Sequence, residues 1–157
     1  VGTREPTSGS ILLKGEHTST LSAKKRIGYL PERPYFYPHL TGRGFLKHYA
    51  ILSEVPYETI DSKIVKTLEI VGLSGAIDKE LRHYSKGMLQ RVGIAQSILH
   101  DPEFIVLDEP MSGLDPNGRR EIRELIKKLS TDGRTVFFST HVVTDVEAIC
   151  DRVAIIN

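Results

Sequence analysis

Two neighbouring acids stand at the end of an apolar run in Phe104-Ile105-Val106-Leu107-Asp108-Glu109-Pro110. Adjacent carboxylates repel one another, so a fold that sets them together where a buried strand ends puts their charge to use. Asp108 has the chemistry to hold Mg²⁺, which takes one or two carboxylates and completes its shell with phosphate oxygens and water. Glu109, pointing elsewhere, can polarise a water. A strand that merely ends in an acidic turn has the same composition, so the pair draws weight from what surrounds it. Directly after it comes Ser112-Gly113-Leu114-Asp115-Pro116, in which Asp115 reads as a helix N-cap. Ser139-Thr140-His141 closes the next apolar run, and His141 can contact a phosphate or a polarised water. A fourth cluster, Tyr84-Ser85-Lys86-Gly87-Met88-Leu89-Gln90-Arg91, opens a helix. Ser85 caps it, and the unpaired N–H groups and dipole of a helix start favour an anion such as phosphate. Gly87 lets the backbone approach that anion closely.

Placing these groups on one edge requires a parallel α/β core, and the chain has that rhythm. Val1 to Ser10 reads as loop, Ile11-Leu12-Leu13-Lys14-Gly15 as a short strand and turn, and Arg26-Ile27-Gly28-Tyr29-Leu30 as another strand. Pro31, Pro34 and Pro38 interrupt regular structure before a helical stretch from Thr41 to His100. There Phe45, Leu46, Tyr49, Ala50 and Leu52 mark one helix. Ile60, Ile64, Leu68 and Val71 mark a second, stopped by Gly72, and Met88, Val92, Ala95 and Leu99 a third. Strand and helix then alternate. Phe104–Leu107 reads as a strand covered on both faces, and a helix from Pro116 to Gly133 buries Ile122, Leu125, Ile126 and Leu129. A strand at Thr135–Phe138, a helix from Val143 to Cys150 and a last strand at Arg152–Ile156 complete the reading. Crossovers of this length predict a parallel sheet with its chemistry at the carboxyl ends of the strands.

Hydrophobic residues make up 39% of the 157, charged residues 26%, and the formal net charge is +1. That balance gives no electrostatic reason to expect nucleic acid as a partner. The densest basic cluster, Lys24-Lys25-Arg26, reads as a solvated turn. The lone cysteine, Cys150, reads as a small buried hydrophobe at a helix end, and a single cysteine permits no internal disulfide. No run approaches the length of a membrane span and no signal peptide opens the chain, so a membrane role is expected to come through a partner.

In order and spacing these clusters resemble the ATP-binding-cassette (ABC) ATPase family along nearly the whole chain. Tyr84-Ser85-Lys86-Gly87-Met88 resembles the signature motif, Phe104 to Glu109 the Walker B strand with its adjacent glutamate, Ser112-Gly113-Leu114-Asp115 the D-loop, and His141 the switch histidine. Glu32, in Tyr29-Leu30-Pro31-Glu32, stands at the Q-loop position, and Pro6-Thr7-Ser8-Gly9-Ser10-Ile11 with Gly15 resembles the segment after the phosphate-loop helix. The resemblance implies a P-loop NTPase-like α/β fold: a mostly parallel sheet core, incomplete here, formed by residues 1–32 and 101–157, with an inserted α-helical subdomain, residues 33–100, carrying the signature. It implies that two such domains pair head to tail and sandwich two ATP molecules with Mg²⁺. Asp108 would help hold the metal, Glu109 would polarise the attacking water, and His141 would contact the γ-phosphate. Ser85, Lys86, Gly87 and Met88 would face the partner domain's nucleotide, and Asp115 would lie at the seam. It also implies a cytoplasmic domain, peripheral on the inner face of the membrane, that powers transport through a separate transmembrane permease, most like ABC-2-type export subunits. Tyr35-Phe36-Tyr37-Pro38-His39-Leu40-Thr41 either contacts that permease or packs under the helical block.

Three departures shape the expectation. Tyr84, Lys86 and Met88 replace three residues of the usual Leu-Ser-Gly-Gly-Gln, while Ser85 and Gly87 remain. Glu32 stands for the Q-loop glutamine; a carboxylate still ligates Mg²⁺ but, when ionised, donates no hydrogen bond. No Gly-x-x-x-x-Gly-Lys-Ser/Thr occurs, and Val1-Gly2-Thr3-Arg4-Glu5 stands where the end of the phosphate-loop helix belongs. The reading is therefore of a truncated domain deficient in ATP binding alone. The family's phosphate-loop strand is expected beside the Walker B strand, and its loss is expected to expose apolar sheet. Two other functions stay open: a soluble ABC-type ATPase acting on ribosomes or DNA, and a non-catalytic module that donates its signature to an intact partner.

Overall fold

The computed structural model describes residues 6–156. The reading of Val1–Glu5 as the end of a phosphate-loop helix lies outside them. Two two-residue strands, β1 (Leu12–Leu13) and β2 (Glu16–His17), pair antiparallel across the turn at Lys14-Gly15. Thr20 then caps a short helix, α1 (Leu21–Lys25), accepting from the Ala23 N–H at 3.2 Å. Lys24-Lys25-Arg26 is thus the last turn and C-cap of a helix, not the solvated turn expected. Its only buried residue is Ala23, so no apolar period betrays it.

After β3 (Ile27–Leu30) come the three expected helices: α2 (Gly42–Leu52), capped by Thr41; α3 (Ile60–Ile70), entered through a 3₁₀ turn at Tyr57–Thr59; and α4 (Lys86–Ile98), capped by Ser85. Gly72 follows α3 with φ +69°, the left-handed turn that ends a helix. The three pack on one another through Phe45, Leu46, Ile64, Leu68, Val92 and Ala95. The chain continues through β4 (Phe104–Leu107), α5 (Pro116–Thr131), β5 (Thr135–Phe138) and α6 (Val143–Ile149).

β3, β4 and β5 form a parallel sheet in that order, with Ile27, Phe104 and Thr135 side by side and Leu30, Leu107 and Phe138 at the far end. Alternation along each strand gives two faces. Leu30, Ile105 and Leu107 are fully buried on one, where α4 packs against β3 and β4 and α5 against β5. At Gly28 this packing reaches backbone contact: a Cβ there would lie 2.0 Å from the Ser97 carbonyl oxygen. The opposite face, with Tyr29, Val106 and Phe137, is only partly covered, and Phe137 is 55% exposed. β4 is therefore covered on one face, not both, as the apolar run alone suggested.

Two further expectations are corrected. Both edges of β4 are taken within this chain, so the phosphate-loop strand cannot lie beside it; the free ladder edge among the described residues is on β5, and on β3 opposite. Arg152–Ile156 forms no strand among the described residues, and Ile155 and Ile156 are 87% and 93% exposed. An apolar run becomes a strand only where a sheet edge receives it, and no described edge does.

Candidate functional site

The carboxyl ends of β4 and β5 meet at one serine. The Ser139 hydroxyl donates to Oδ1 of Asp108 at 2.6 Å and accepts from the Glu109 N–H at 2.9 Å. The Ser139 N–H continues the ladder to the Leu107 carbonyl at 3.0 Å, and Asp108 N–H donates to Leu30 carbonyl at 2.8 Å. Both acids are thus fixed to neighbouring strands as the sheet ends. At Glu109 the backbone turns left-handed, φ +49°. That conformation costs a non-glycine residue about 1–3 kcal/mol and persists where surroundings enforce it. Here it breaks the strand's course and delivers the side chain to His141, whose Nδ1 donates to Glu109 Oε1 at 2.9 Å. His141 is 74% exposed and Glu109 21%, so the pair faces outward from the sheet edge.

The adjoining loop runs back under the start of α4. Ser112 N–H donates to the Glu109 carbonyl at 3.1 Å, and Asp115 caps α5 by accepting from Gly118 N–H at 3.0 Å, with Pro116 in the first turn. Gly113 has φ +65°, and a Cβ there would sit 1.9 Å from the Lys86 ammonium. Glycine at 113 therefore gives Lys86 its seat. Leu114 turns inward and packs on the core.

Ser85 is exposed and accepts from Met88 N–H at 3.2 Å, while the position of a Cβ on Gly87 meets nothing within 4 Å. The N-terminus of α4 is open to an approaching group. Met88 packs partly against the core. Tyr84, one of the departures from the usual signature, has a structural reason: the residue is 7% exposed and its hydroxyl donates to the Ala76 carbonyl at 2.7 Å. Burial pushes the phenol's pKa above its ordinary value, so it remains the donor that this bond needs. Gly42 leaves room for it, since a Cβ there would lie 2.4 Å from the Tyr84 hydroxyl.

A cleft of about 360 Å³ gathers Glu32, Arg33, Lys86, Gln90, Glu109 and Ser112. Residues from the turn after β3, the start of α4, the end of β4 and the loop before α5 thus share one wall within a single chain, although Glu32 and Glu109 lie far apart in sequence. Of the aromatic stretch beyond Glu32, Phe36 packs on Phe45 with ring centroids 5.5 Å apart, while Tyr35 is 73% exposed. The stretch both packs and presents. Ser139 and Gln90 are the residues that motif reading undervalued. Ser139 could have been found as the residue opposite Asp108 once the two strand ends were aligned.

The donor set fits Mg²⁺ in the way the ion is usually held at phosphates. Among the described residues no cluster of three acidic, histidine or cysteine side chains could cage a metal unaided. Asp108 is bonded to Ser139 through Oδ1, which leaves Oδ2 the oxygen that could ligate an ion. One or two carboxylates with phosphate and water completing the shell is the arrangement this ion favours.

The ABC transporter family matches residues 1–112. The chain is similar to an uncharacterised ABC transporter ATP-binding protein of Nostoc sp., 49% identical over 159 aligned positions that cover 100% of this chain and 48% of the relative. It is also similar to the bacitracin transport ATP-binding protein BcrA of Enterococcus faecalis, 41% identical over 97% of this chain and 49% of that protein. The chain spans about half the length of these curated relatives. A solved structure of the ATP-binding subunit of an ABC transporter superposes with a TM-score of 0.77 at 28% identity, covering 96% of this chain and 63% of that one.

Proposed function

The chain belongs to the ABC transporter ATP-binding family, with its P-loop NTPase-type parallel core, and from that premise we propose that it acts as an ATP-hydrolysing subunit driving transport through a separate membrane permease. The observation that carries this reading is the assembly at the sheet edge: Asp108, Glu109 and His141 converge through Ser139 and the His141–Glu109 bond. Asp108 would hold Mg²⁺ on a nucleotide through the oxygen that Ser139 does not engage, with Glu32 at the Q-loop position across the neighbouring cleft. The ion's contribution there is neutralisation of charge on phosphate oxygens. Glu109 accepts a proton from the attacking water, and His141 holds the Glu109 carboxylate through Nδ1. A ring that donates through Nδ1 also donates through Nε2 to a phosphate oxygen when it is imidazolium. Catalysis of this kind is positioning and charge stabilisation rather than covalent chemistry.

Ser85, Lys86, Gly87 and Met88 serve a second cassette's nucleotide, with the open helix start at Ser85 and Gly87 receiving its γ-phosphate. Ser112, Gly113, Leu114 and Asp115 line the seam between the two cassettes. The phosphate cradle is not among these 157 residues, so nucleotide at this site is held by residues outside them or by the second cassette. Among the described residues no helix is long and apolar enough to cross a membrane, and exposed Tyr35 beside the cleft suits contact with the permease at the inner face of the membrane. The test is ATP turnover by the full chain with its permease. Glu109→Gln is expected to slow turnover by about 10²-fold or more while nucleotide binding is retained, the usual scale for removing a general base. Unchanged turnover, together with loss on Ser85→Ala, would instead make the chain a signature donor. Co-sedimentation with ribosomes and no copurifying membrane protein would support the soluble alternative.

A further inference from the structure

α6, which follows His141 by two residues, meets the hydrophobic core at the partly buried Ile149. Its one fully buried residue is Asp145, with a side chain 0% exposed. Both carboxylate oxygens are engaged from α5: Oδ1 accepts from Arg123 Nη1 at 3.0 Å, and Oδ2 accepts from Arg119 Nη2. Arg119 and Arg123 are four residues apart and so share one face of α5. Arg119 also donates its backbone N–H to the Asp115 carbonyl at 2.9 Å, which roots it in the helix turn that the D-loop begins. Val142, at the N-cap position, offers no side-chain cap, and Val143 is 67% exposed. A carboxylate taken fully out of water is costly unless it is paired and hydrogen-bonded, and a charged pair of this kind fixes orientation more sharply than an apolar contact.

We propose that Asp145, clamped by Arg119 and Arg123, is a positioning residue that sets His141 against Glu109 and couples that pair to the D-loop helix. The clamp rests on the catalytic reading above for its consequence, though not for its geometry. A shift of α5 at the seam moves Arg119 and Arg123, and through Asp145 it moves the segment that carries His141. Hydrolysis competence is thereby tied to the placement of the D-loop.

The experiment combines two readouts on Asp145→Asn and on the milder Arg123→Lys, which keeps the charge and loses the forked geometry. The first is the ¹⁵N spectrum of the chain with labelled histidine, with the His141 ring assigned from His141→Asn. The folded Asp145→Asn fraction is expected to lose the shift of the Nδ1–H bond to Glu109, Arg123→Lys to show a part loss, and Asp145→Glu to restore part of it. The second is ATP turnover by the full chain with its second cassette, where kcat is expected to fall about tenfold with KM unchanged within about twofold, the pattern of lost transition-state placement rather than lost binding. A His141 spectrum unchanged in both variants overturns the proposal, as does a kcat loss that only tracks the unfolded fraction. Absence of turnover in the unsubstituted protein would count against the proposed function alone, since the ¹⁵N readout still decides the clamp.

Discussion

One hydroxyl joins the two residues on which the site depends. Ser139 donates to Asp108 and accepts from the Glu109 N–H, so removing it unties a carboxylate and strands a partly buried donor at once. Ser139→Ala is expected to destabilise the fold by about 1–2 kcal/mol in urea unfolding, within the range for an unmade hydrogen bond. It is also expected to lower turnover about tenfold, because Glu109 then has less to hold its left-handed backbone. An unchanged turnover would show that β5 positions Glu109 through the ladder alone. Tyr84 and Lys86 show why motif residues resist reading from their letters. Tyr84 is a buried anchor of the helical block, and Lys86 reaches over Gly113. The first departure from the usual signature is thus explained by packing in the same chain, and the second by a neighbouring loop with which it shares a cleft.

The contact of β3 with the end of α4 governs how the signature helix sits on the sheet. Gly28 meets the Ser97 carbonyl there, and His100 Nε2–H donates to the Ile27 carbonyl at 3.2 Å. Nδ1 of His100 is buried without a hydrogen-bond partner among the described residues. Burial is the main cause holding the ring's pKa below its ordinary value, with Lys63 lowering it further, while the Ile27 carbonyl and Asp101 pull upward. Protonation would have to place its proton on that enclosed Nδ1. Above the unfolded value, about pH 6.5, both states are neutral and the group contributes nothing to the pH dependence. As pH falls below it, the unfolded chain binds a proton that the folded ring refuses, so stability is lost until the folded pKa is passed. Urea midpoints measured from about pH 7.5 down to about pH 5 are expected to fall in the unsubstituted chain and to fall less in His100→Gln. Equal slopes would place the acid sensitivity elsewhere.

At the scale of the whole molecule, the residues proposed as signature, metal-holding carboxylate and water-activating pair are present, and the phosphate cradle is not among these residues. A phosphate loop contributes several charge-assisted hydrogen bonds of about 1.5–3 kcal/mol each, so three of them amount to about 4–9 kcal/mol, or about 10³-fold or more in affinity. Isothermal titration of the 157 residues is expected to show no ATP binding in the micromolar range, and a micromolar Kd would refute the assignment of the cradle to other residues. The partly covered face that carries Tyr29, Val106 and Phe137, and the free edge of β5, are where such residues have room to add to this sheet.

The order of elements and the identity of the acids were legible in the chain, because periodic apolar stripes, caps and turn glycines are local: Ser85 and Asp115 each cap the helix that the spacing places after them. The short α1 was not legible, since its single buried alanine leaves no period, and the apolar run at Val153–Ile156 misled, since strand formation depends on a partner edge. Only the tertiary structure decided that β4 has both neighbours already, that Ser139 bridges Asp108 and Glu109, and that Asp145 is clamped by Arg119 and Arg123. These are pairings between residues tens of positions apart. Local propensity carries no information on which edge meets which, whereas sheet register and helix packing settle it at once.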